Sequence, residues 1–484
     1  MAQRDPVHYL QGPNDDLCGN QQCSSDYGDG CDDELDMFTD VIAALDLEKL
    51  PDLAQKTRRA QEPYRAQPDK LPVVGELMHG SYNIIYPIDF SDGIRWLVKV
   101  PINGTENKWD KLSAVAMTAE VNTMRLLKRE TTTPLPEVFD FSATTDNPLN
   151  CPYMFISFID GIPLQKVWYA KAKNDAEYMA IQTRRMTALE GIAKAMVQLD
   201  QYTSEVAGSP LFNADGSLSG VGPARTIDLD ALLDRWYVKG DPSDDPIYAE
   251  HQVCGDVKEW YEFIPDLHPR EVKYPKGIVQ LLRWMINWLP EPMGFDHRCV
   301  LAHPDLDMQN IIVNENGELQ GIIDWDGVCM VPRSMGNRSY PKWLTQDWNP
   351  FGYMYSEPTE EADPSTKQAC CSGSDDSPSV LKDYRTIYRF LLTIFESNEE
   401  ECFGEDTTRM SLISTNLFTA AQNPQCRVDI VVKLLEESFA TLKTGKEFDL
   451  YYVPYHSGEG LIDEKSGIIM MFKEGFLNLL DKEL

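Results

Sequence analysis

Basic residues are scarce in this 484-residue chain: 44 Lys and Arg stand against 77 Asp and Glu, a formal net charge of −33. That balance argues against binding nucleic acid or an anionic membrane surface, since both need clustered cations. Long apolar runs are missing as well. No stretch approaches the roughly 18 consecutive apolar residues that cross a bilayer. A leader peptide is not recognisable either: residues 1–16 are polar and acidic, unlike a secretory signal or an Arg-rich transit peptide. The expected compartment is therefore the cytoplasm. The 11 cysteines show no zinc-like pairing. Cys18, Cys23 and Cys31 fall in a polar stretch, and Cys370 and Cys371 in a Ser/Asp-rich one, which suits a reducing interior and argues against a cysteine metal site. No internal repeat is visible.

What is present is globular. Apolar residues make up 42% and aromatics 10% of the chain, ample for a real core in one to three domains. The acidity is uneven, with 13 acids against 2 bases in residues 1–52. The first part of that segment is expected to be a disordered tail. Residues 37–59 then carry helical spacing (Val41, Leu45, Leu47, Leu50), broken by Pro51. Acidity elsewhere fits either a cationic substrate or a merely soluble surface.

The chemistry concentrates in residues 301–326. A polar loop, H-P-D-L-D-M-Q-N from His303 to Asn310, precedes a β-branched run (Ile311, Ile312, Val313). An Asn-Gly turn cluster follows, then a second apolar run ending at Asp324. Two short strands around such a turn predict a hairpin. Closing it returns Asp324 to the level of Asn310, beside Asp305. One amide and two carboxylates crowded together need a shared cation or proton. Oxygen ligands of this kind suit Mg²⁺, held by few protein groups plus substrate phosphates.

Upstream, the pattern is that of strands at 73–77, 84–90 and 94–100, with Ser91-Asp92-Gly93 as the last turn. The third buries Lys99 in the run W-L-V-K-V. A lysine inside a strand needs an anion. The next helix, 110–128, has its apolar stripe on Met117, Val121, Met124 and Leu127, and Glu120 lies on that stripe. Lys99 paired with Glu120 satisfies both; two snorkelling surface charges are the alternative. Strands at 138–141 and 153–158 follow, then a long amphipathic helix at 174–202 and further helices at 278–289, 380–397, 428–442 and 468–480. Residues 357–378 read as a mobile polar loop.

Together, His303, Asp305, Asn310 and Asp324 resemble the catalytic and metal loops of kinases, H-x-D-x-x-x-x-N with a later Asp. The details resemble the aminoglycoside phosphotransferase and choline kinase-like family more than protein kinases. Pro304 stands where protein kinases have Arg, Asp324-Trp325 replaces D-F-G, and no A-P-E triplet follows. The resemblance implies an α+β, bilobal protein kinase-like fold with a small antiparallel-sheet N-lobe holding one helix and a larger helical C-lobe. It divides the chain into an extension (1–65), a nucleotide-binding sheet (66–160) and a helical lobe (161–484). It also implies ATP and Mg²⁺ as cofactors and a small molecule as acceptor, with protein partners left open.

By the same resemblance, Asp305 is the catalytic carboxylate, and Asn310 and Asp324 hold the metal. Lys99, fixed by Glu120, contacts the α- and β-phosphates, and His303 fixes its loop. Gly80 and Ser81 lie where the phosphate-covering loop would be, although a plain hairpin turn explains them equally. Backbone groups near Ser157 and Ile159 would meet the adenine edge. The hairpin expected at 209–224 is similar to one in fungal members of the family. Two departures stand out. Asp307 occupies the place of a phosphate-contacting Lys in protein kinases, and Asp326 adds another carboxylate that reaches the metal or stays solvated. Together they tilt the reading towards an amine-bearing acceptor. The cluster Arg333, Arg338, Tyr340, Trp343 and Trp348 either lines the acceptor pocket or packs the lower lobe. A protein Ser/Thr kinase and a catalytically silent nucleotide-binding module are the competing functions.

Overall fold

The computed structural model describes residues 33–63, 70–241, 243, 246–261, 272–290, 298–355, 375–396, 404–442 and 449–482. The expected acidic tail up to residue 32, most of the 357–378 loop and Cys18, Cys23, Cys31, Cys370 and Cys371 lie outside these residues.

Helices α1 (Thr39–Ala44) and α2 (Leu50–Gln61) come first. Pro51 does not break a helix but stands in the first turn of α2, where a missing N–H costs nothing. The break falls earlier, at Leu45 and Asp46. A six-stranded antiparallel sheet follows, built from β1 (Val73–Val74), β2 (Met78–His79), β3 (Asn83–Asp89), β4 (Arg95–Pro101), β5 (Val138–Ser142) and β6 (Tyr153–Ser157). Its order is β1-β3-β4-β6-β5, with β2 on β3. Helix α3 (Lys111–Glu130) joins β4 to β5, and Asp110 caps it by accepting the Ser113 N–H at 2.7 Å.

Alternation along β4 separates two faces. Trp96, Val98 and Val100 meet Ile84, Ile88 and Phe155 together with Phe38, Val41, Leu50 and Ala54 of the extension. The opposite face carries Lys99, flanked in register by Ile85 and Met154. It packs on α3, whose Met117, Val121 and Met124 join the main core. The small sheet is thus sandwiched between the N-terminal helices and α3.

Strand β7 (Ile162–Pro163) leads into the larger lobe through α4 (Leu164–Trp168) and α5 (Asp175–Met196). Next come β8 (Thr203–Ser204), the hairpin β9 (Ser209–Phe212) and β10 (Leu218–Gly222), β11 (Ala224–Ile227), α6 (Leu229–Leu233) and β12 (Tyr248–His251). Helix α7 (Lys273–Trp288), β13 (Cys299–Ala302), β14 (Ile311–Val313), β15 (Leu319–Ile322) and β16 (Cys329–Pro332) follow. The chain closes with α8 (Pro378–Phe395), α9 (Gly404–Gln422), α10 (Pro424–Thr441), α11 (Tyr452–Glu459) and α12 (Gly467–Asp481). This is an α+β, bilobal kinase-like architecture: an antiparallel sheet with one crossing helix above a mainly helical body. No described helix is long and apolar enough to cross a membrane.

The hairpin that the sequence predicts is β14–β15, with Ile311 opposite Ile322 and Ile312 opposite Gly321. Its turn is stabilised by Asn314, whose Oδ1 accepts the N–H groups of Asn316 and Glu318. Gly317 completes it at φ 83°, where an added Cβ would lie 2.3 Å from the Arg184 carbonyl. β14 also pairs with β7, tying the hairpin to the chain entering from the N-lobe.

Candidate active site

Three elements converge on Lys99. From β4 its ammonium reaches Glu120 Oε1 on α3 at 2.9 Å and Asp324 Oδ1, just beyond β15, at 2.8 Å. The Lys99 and Glu120 side chains are 10% and 6% exposed, so neither charge is solvated alone. Burial opposes the Lys99 charge, but Asp324 and Glu120 outweigh it and hold the pKa above that of ordinary lysine. Burial likewise pushes the Glu120 carboxyl up, against the pull of Lys99. Lys99, helped by a hydrogen bond, holds the Asp324 carboxyl below the usual range, keeping it ionised.

Asp324 sits at φ 61°, in the left-handed region that Asp tolerates better than most residues. The backbone on either side is fixed. Ile323 N–H donates to the Asn310 carbonyl at 2.9 Å, and Trp325, fully buried, gives its indole N–H to Ile322 O. His303 links the two loops. Its Nδ1 accepts the Asp305 N–H at 3.1 Å, so the proton is on Nε2, which donates to Ile323 O at 2.9 Å. Burial lowers the His303 pKa and favours this neutral tautomer.

Asp305 and Asn310 meet directly. Asn310 Nδ2 donates to the Asp305 carbonyl at 2.9 Å and to Asp305 Oδ2 at 3.0 Å. The other Asp305 oxygen takes Lys342 Nζ at 2.6 Å, a partner that the sequence reading missed. With its amide donors spent on Asp305, Asn310 keeps Oδ1 for a cation, and Asp324 keeps the oxygen not held by Lys99. Among the described residues no group of three His, Cys, Asp or Glu is arranged for a metal. Two oxygen donors fit Mg²⁺ that takes its remaining ligands from water and phosphate.

Gly80 and Ser81 are exposed at the β2–β3 turn, where Gly80 N–H donates to Asn83 O at 3.0 Å. Neither lines the cleft beside Lys99, but the next residues, Tyr82 and Asn83, do. The Ser157 N–H is not turned towards an adenine edge: it bonds Glu137 O at 2.9 Å within the sheet. The Ile159 side chain crowds Gly321.

Both extra carboxylates are committed within the chain. Asp307 accepts the Met308 N–H at 2.7 Å, and burial raises its pKa. Asp326 is not simply solvated: Arg225 Nη2 grips its two oxygens at 2.6 and 2.8 Å. The amine-bearing acceptor thus loses its argument from free carboxylates. The aromatic and arginine run packs rather than lining a pocket. Tyr340, Trp343 and Trp348 are buried in the core, and Arg338 pairs with Asp200 and Glu396.

A subtelomeric hrmA-associated cluster protein of Aspergillus fumigatus is 25% identical over 327 residues, covering 58% of this chain and 62% of that protein. A protein named altered inheritance of mitochondria protein 9, mitochondrial, from Eremothecium gossypii is 21% identical over 330 residues, 59% of this chain and 52% of its own length. Its Kluyveromyces lactis namesake is 21% identical over 350 residues, with 61% and 55% covered. The chain therefore spans between half and two thirds of the length of these relatives. The mitochondrial designation of the Eremothecium gossypii and Kluyveromyces lactis proteins overturns the cytoplasmic location expected from the acidic start of the chain. Among solved structures, an amicoumacin kinase in complex with AMP-PNP and Ca²⁺ is 12% identical at a TM-score of 0.38, covering 87% of this chain and 96% of the other. A Plasmodium vivax ethanolamine kinase is 12% identical at 0.32, with 85% and 87% covered. Likeness that loose says nothing about an acceptor. The model of the phosphotransferase enzyme family, however, matches residues 91–335, just over half of the chain and the whole stretch from Lys99 to Asp326. The chain belongs to the phosphotransferase enzyme family.

Proposed function

We propose that the protein is an ATP-dependent phosphotransferase that moves the γ-phosphate to a hydroxyl of a small molecule. The observation that carries this reading is the single ammonium of Lys99 held between Glu120 and Asp324 at 2.9 and 2.8 Å. It joins the sheet, its crossing helix and the catalytic hairpin at one charged point. Phosphoryl transfer asks mainly for positioning and charge neutralisation. Lys99 would meet the α- and β-phosphate oxygens. Asn310 and Asp324 would hold Mg²⁺, which when bound neutralises charge between the phosphates. Asp305, oriented by Asn310 and by its own N–H bond to His303, would direct the acceptor hydroxyl and take its proton late in transfer.

A second reading has an observation of its own. Asp305 is paired with Lys342 and Asp324 with Lys99, as in a chain that binds nucleotide without turning over. One experiment separates the two. Small-molecule extract is incubated with ATP-Mg²⁺ and either wild type or Asp324→Ala, and the products are compared by mass spectrometry. A phosphorylated product from wild type alone supports transfer. Equal product with both proteins removes the role given to Asp324, and ATP binding with no product from any extract favours the silent module. On the names of the relatives we assign the chain to mitochondria, to be tested by cell fractionation.

A further inference from the structure

The cleft beside Lys99 contains a second cation that the family motifs do not account for. Its walls include Tyr82, Lys99, Glu120, Arg225, Tyr248 and Asp326. Arg225 comes from outside both catalytic loops, on β11, which pairs with β12 so that Arg225 faces Glu250 in register. Its guanidinium carbon lies 4.1 Å from the centre of the Tyr248 ring, and its Nη2 holds both oxygens of Asp326.

The Arg225 side chain is only 6% exposed, yet these contacts use one of its three nitrogens. Among the described residues, Nε and Nη1 have no hydrogen-bond partner. A guanidinium with two donors to spare, sharing a cleft with Lys99, can take an anion there. Asp307 replaces the phosphate-contacting Lys of protein kinases, and its side chain turns back onto the Met308 N–H. Lys99 is already shared by two carboxylates, so even with Mg²⁺ at Asn310 and Asp324 a polyphosphate gains from a further cation.

We propose that Arg225 is a phosphate-binding residue, delivered by the β11–β12 hairpin to the oxygens of the bound nucleotide's phosphates. The assignment rests on the ATP reading above. Asp326 and the Tyr248 face fix the fork by Nη2, leaving Nε and Nη1 for phosphoryl oxygens, the planar geometry that suits Arg better than Lys.

The test is calorimetric titration of the full-length protein with ATP-Mg²⁺ and with adenosine. Arg225→Gln should weaken ATP binding about tenfold to a hundredfold, the loss of one or two charge-assisted hydrogen bonds, and leave adenosine unchanged. Arg225→Lys keeps a charge opposite Asp326 and should still lose about tenfold; it carries the test if the Gln variant does not fold. A purely structural role predicts that ATP and adenosine weaken together, or that Arg225→Gln combined with Asp326→Asn restores ATP binding. Either outcome overturns the proposal. Wild type that binds ATP with Arg225→Gln unchanged sinks this assignment alone, whereas wild type that binds no ATP-Mg²⁺ sinks the nucleotide reading as well.

Discussion

Lys99 and Asp324 are 225 positions apart in the chain, yet the ammonium of one lies 2.8 Å from Oδ1 of the other. The two ends of that contact differ in solvation. The Asp324 side chain is 46% exposed, whereas Glu120, the other partner of Lys99, is 6% exposed. Removing the lysine therefore strands Glu120 far more than Asp324. Lys99→Met is expected to cost about 3 kcal/mol of stability, the range for a buried ion pair with one partner deleted. Lys99→Met with Glu120→Gln should recover at least half of that loss and none of the phosphotransferase activity. Urea unfolding of the two variants, read beside ATP turnover, checks both statements. Equal stability of the single and double variants would show that Glu120 is not the stranded group.

Asp305 presents the opposite case. Its side chain is 35% exposed, and its partner Lys342 is 61% exposed, so their pairing contributes no more than about 1 kcal/mol. Asp305→Asn keeps an oxygen for Asn310 Nδ2. It should lower kcat about 10²–10⁴-fold, as removal of a proton-accepting carboxylate does. The melting temperature should move by only a few degrees and ATP affinity by less than threefold. A variant with full turnover would take the catalytic role away from Asp305.

The N-terminal helices add a pH-sensitive attachment. Arg58 on α2 forks onto Asp92 in the β3–β4 turn at 2.6 and 2.9 Å, and lies 4.5 Å from the Phe90 ring centre. The hydrogen bonds from Arg58 bring the Asp92 carboxyl down to about 2. A carboxylate depressed in the folded state stabilises it above the unfolded value, near 3.9, and loses that contribution as pH falls through the folded value. Wild type should therefore melt above Asp92→Asn at pH 6, with the gap closing between about pH 4 and pH 2. Melting curves of both proteins across that range give the answer. A gap independent of pH would mean that the charge on Asp92 does not hold α2.

Much of this arrangement was legible because each motif carries its own physical constraint. A lysine within W-L-V-K-V and a glutamate on the apolar stripe of the next helix each demand a partner, and they pair. Asn314 and Gly317 announce the turn that returns Asp324 beside Asn310. Helix α9 was missed for an equally physical reason. Its buried side includes Thr408, Ser411 and Ser414, polar types that break the apolar pattern. Ser411 Oγ satisfies itself on the Thr408 carbonyl at 2.7 Å, and Thr415 does the same on Ser411. Arg225 and Lys342 were illegible because nothing local marks them. One is a lone arginine in a four-residue strand and the other a lysine in a single turn, and only long-range packing brings them to Asp326 and Asp305.

The helical body offers a last test, independent of any chemistry. Helices α7 and α11 cross at Gly277 and Gly458. A Cβ added to Gly277 would lie 1.6 Å from the Pro454 carbonyl oxygen, and one added to Gly458 would lie 1.7 Å from the Lys273 oxygen. Both obstacles are backbone, so no side-chain rotation relieves them, and the helices must separate. On helix propensity alone, Gly→Ala in a helix interior stabilises by up to about 1 kcal/mol. Here the overlap reverses the sign. Gly277→Ala and Gly458→Ala should each destabilise by about 1–3 kcal/mol or more, the range for overpacked interiors. The pair should cost less than the sum, because one displacement of α11 relieves both contacts. Chemical denaturation of the two single variants and the double variant measures this directly. Strict additivity would mean that the helices do not move apart as one step.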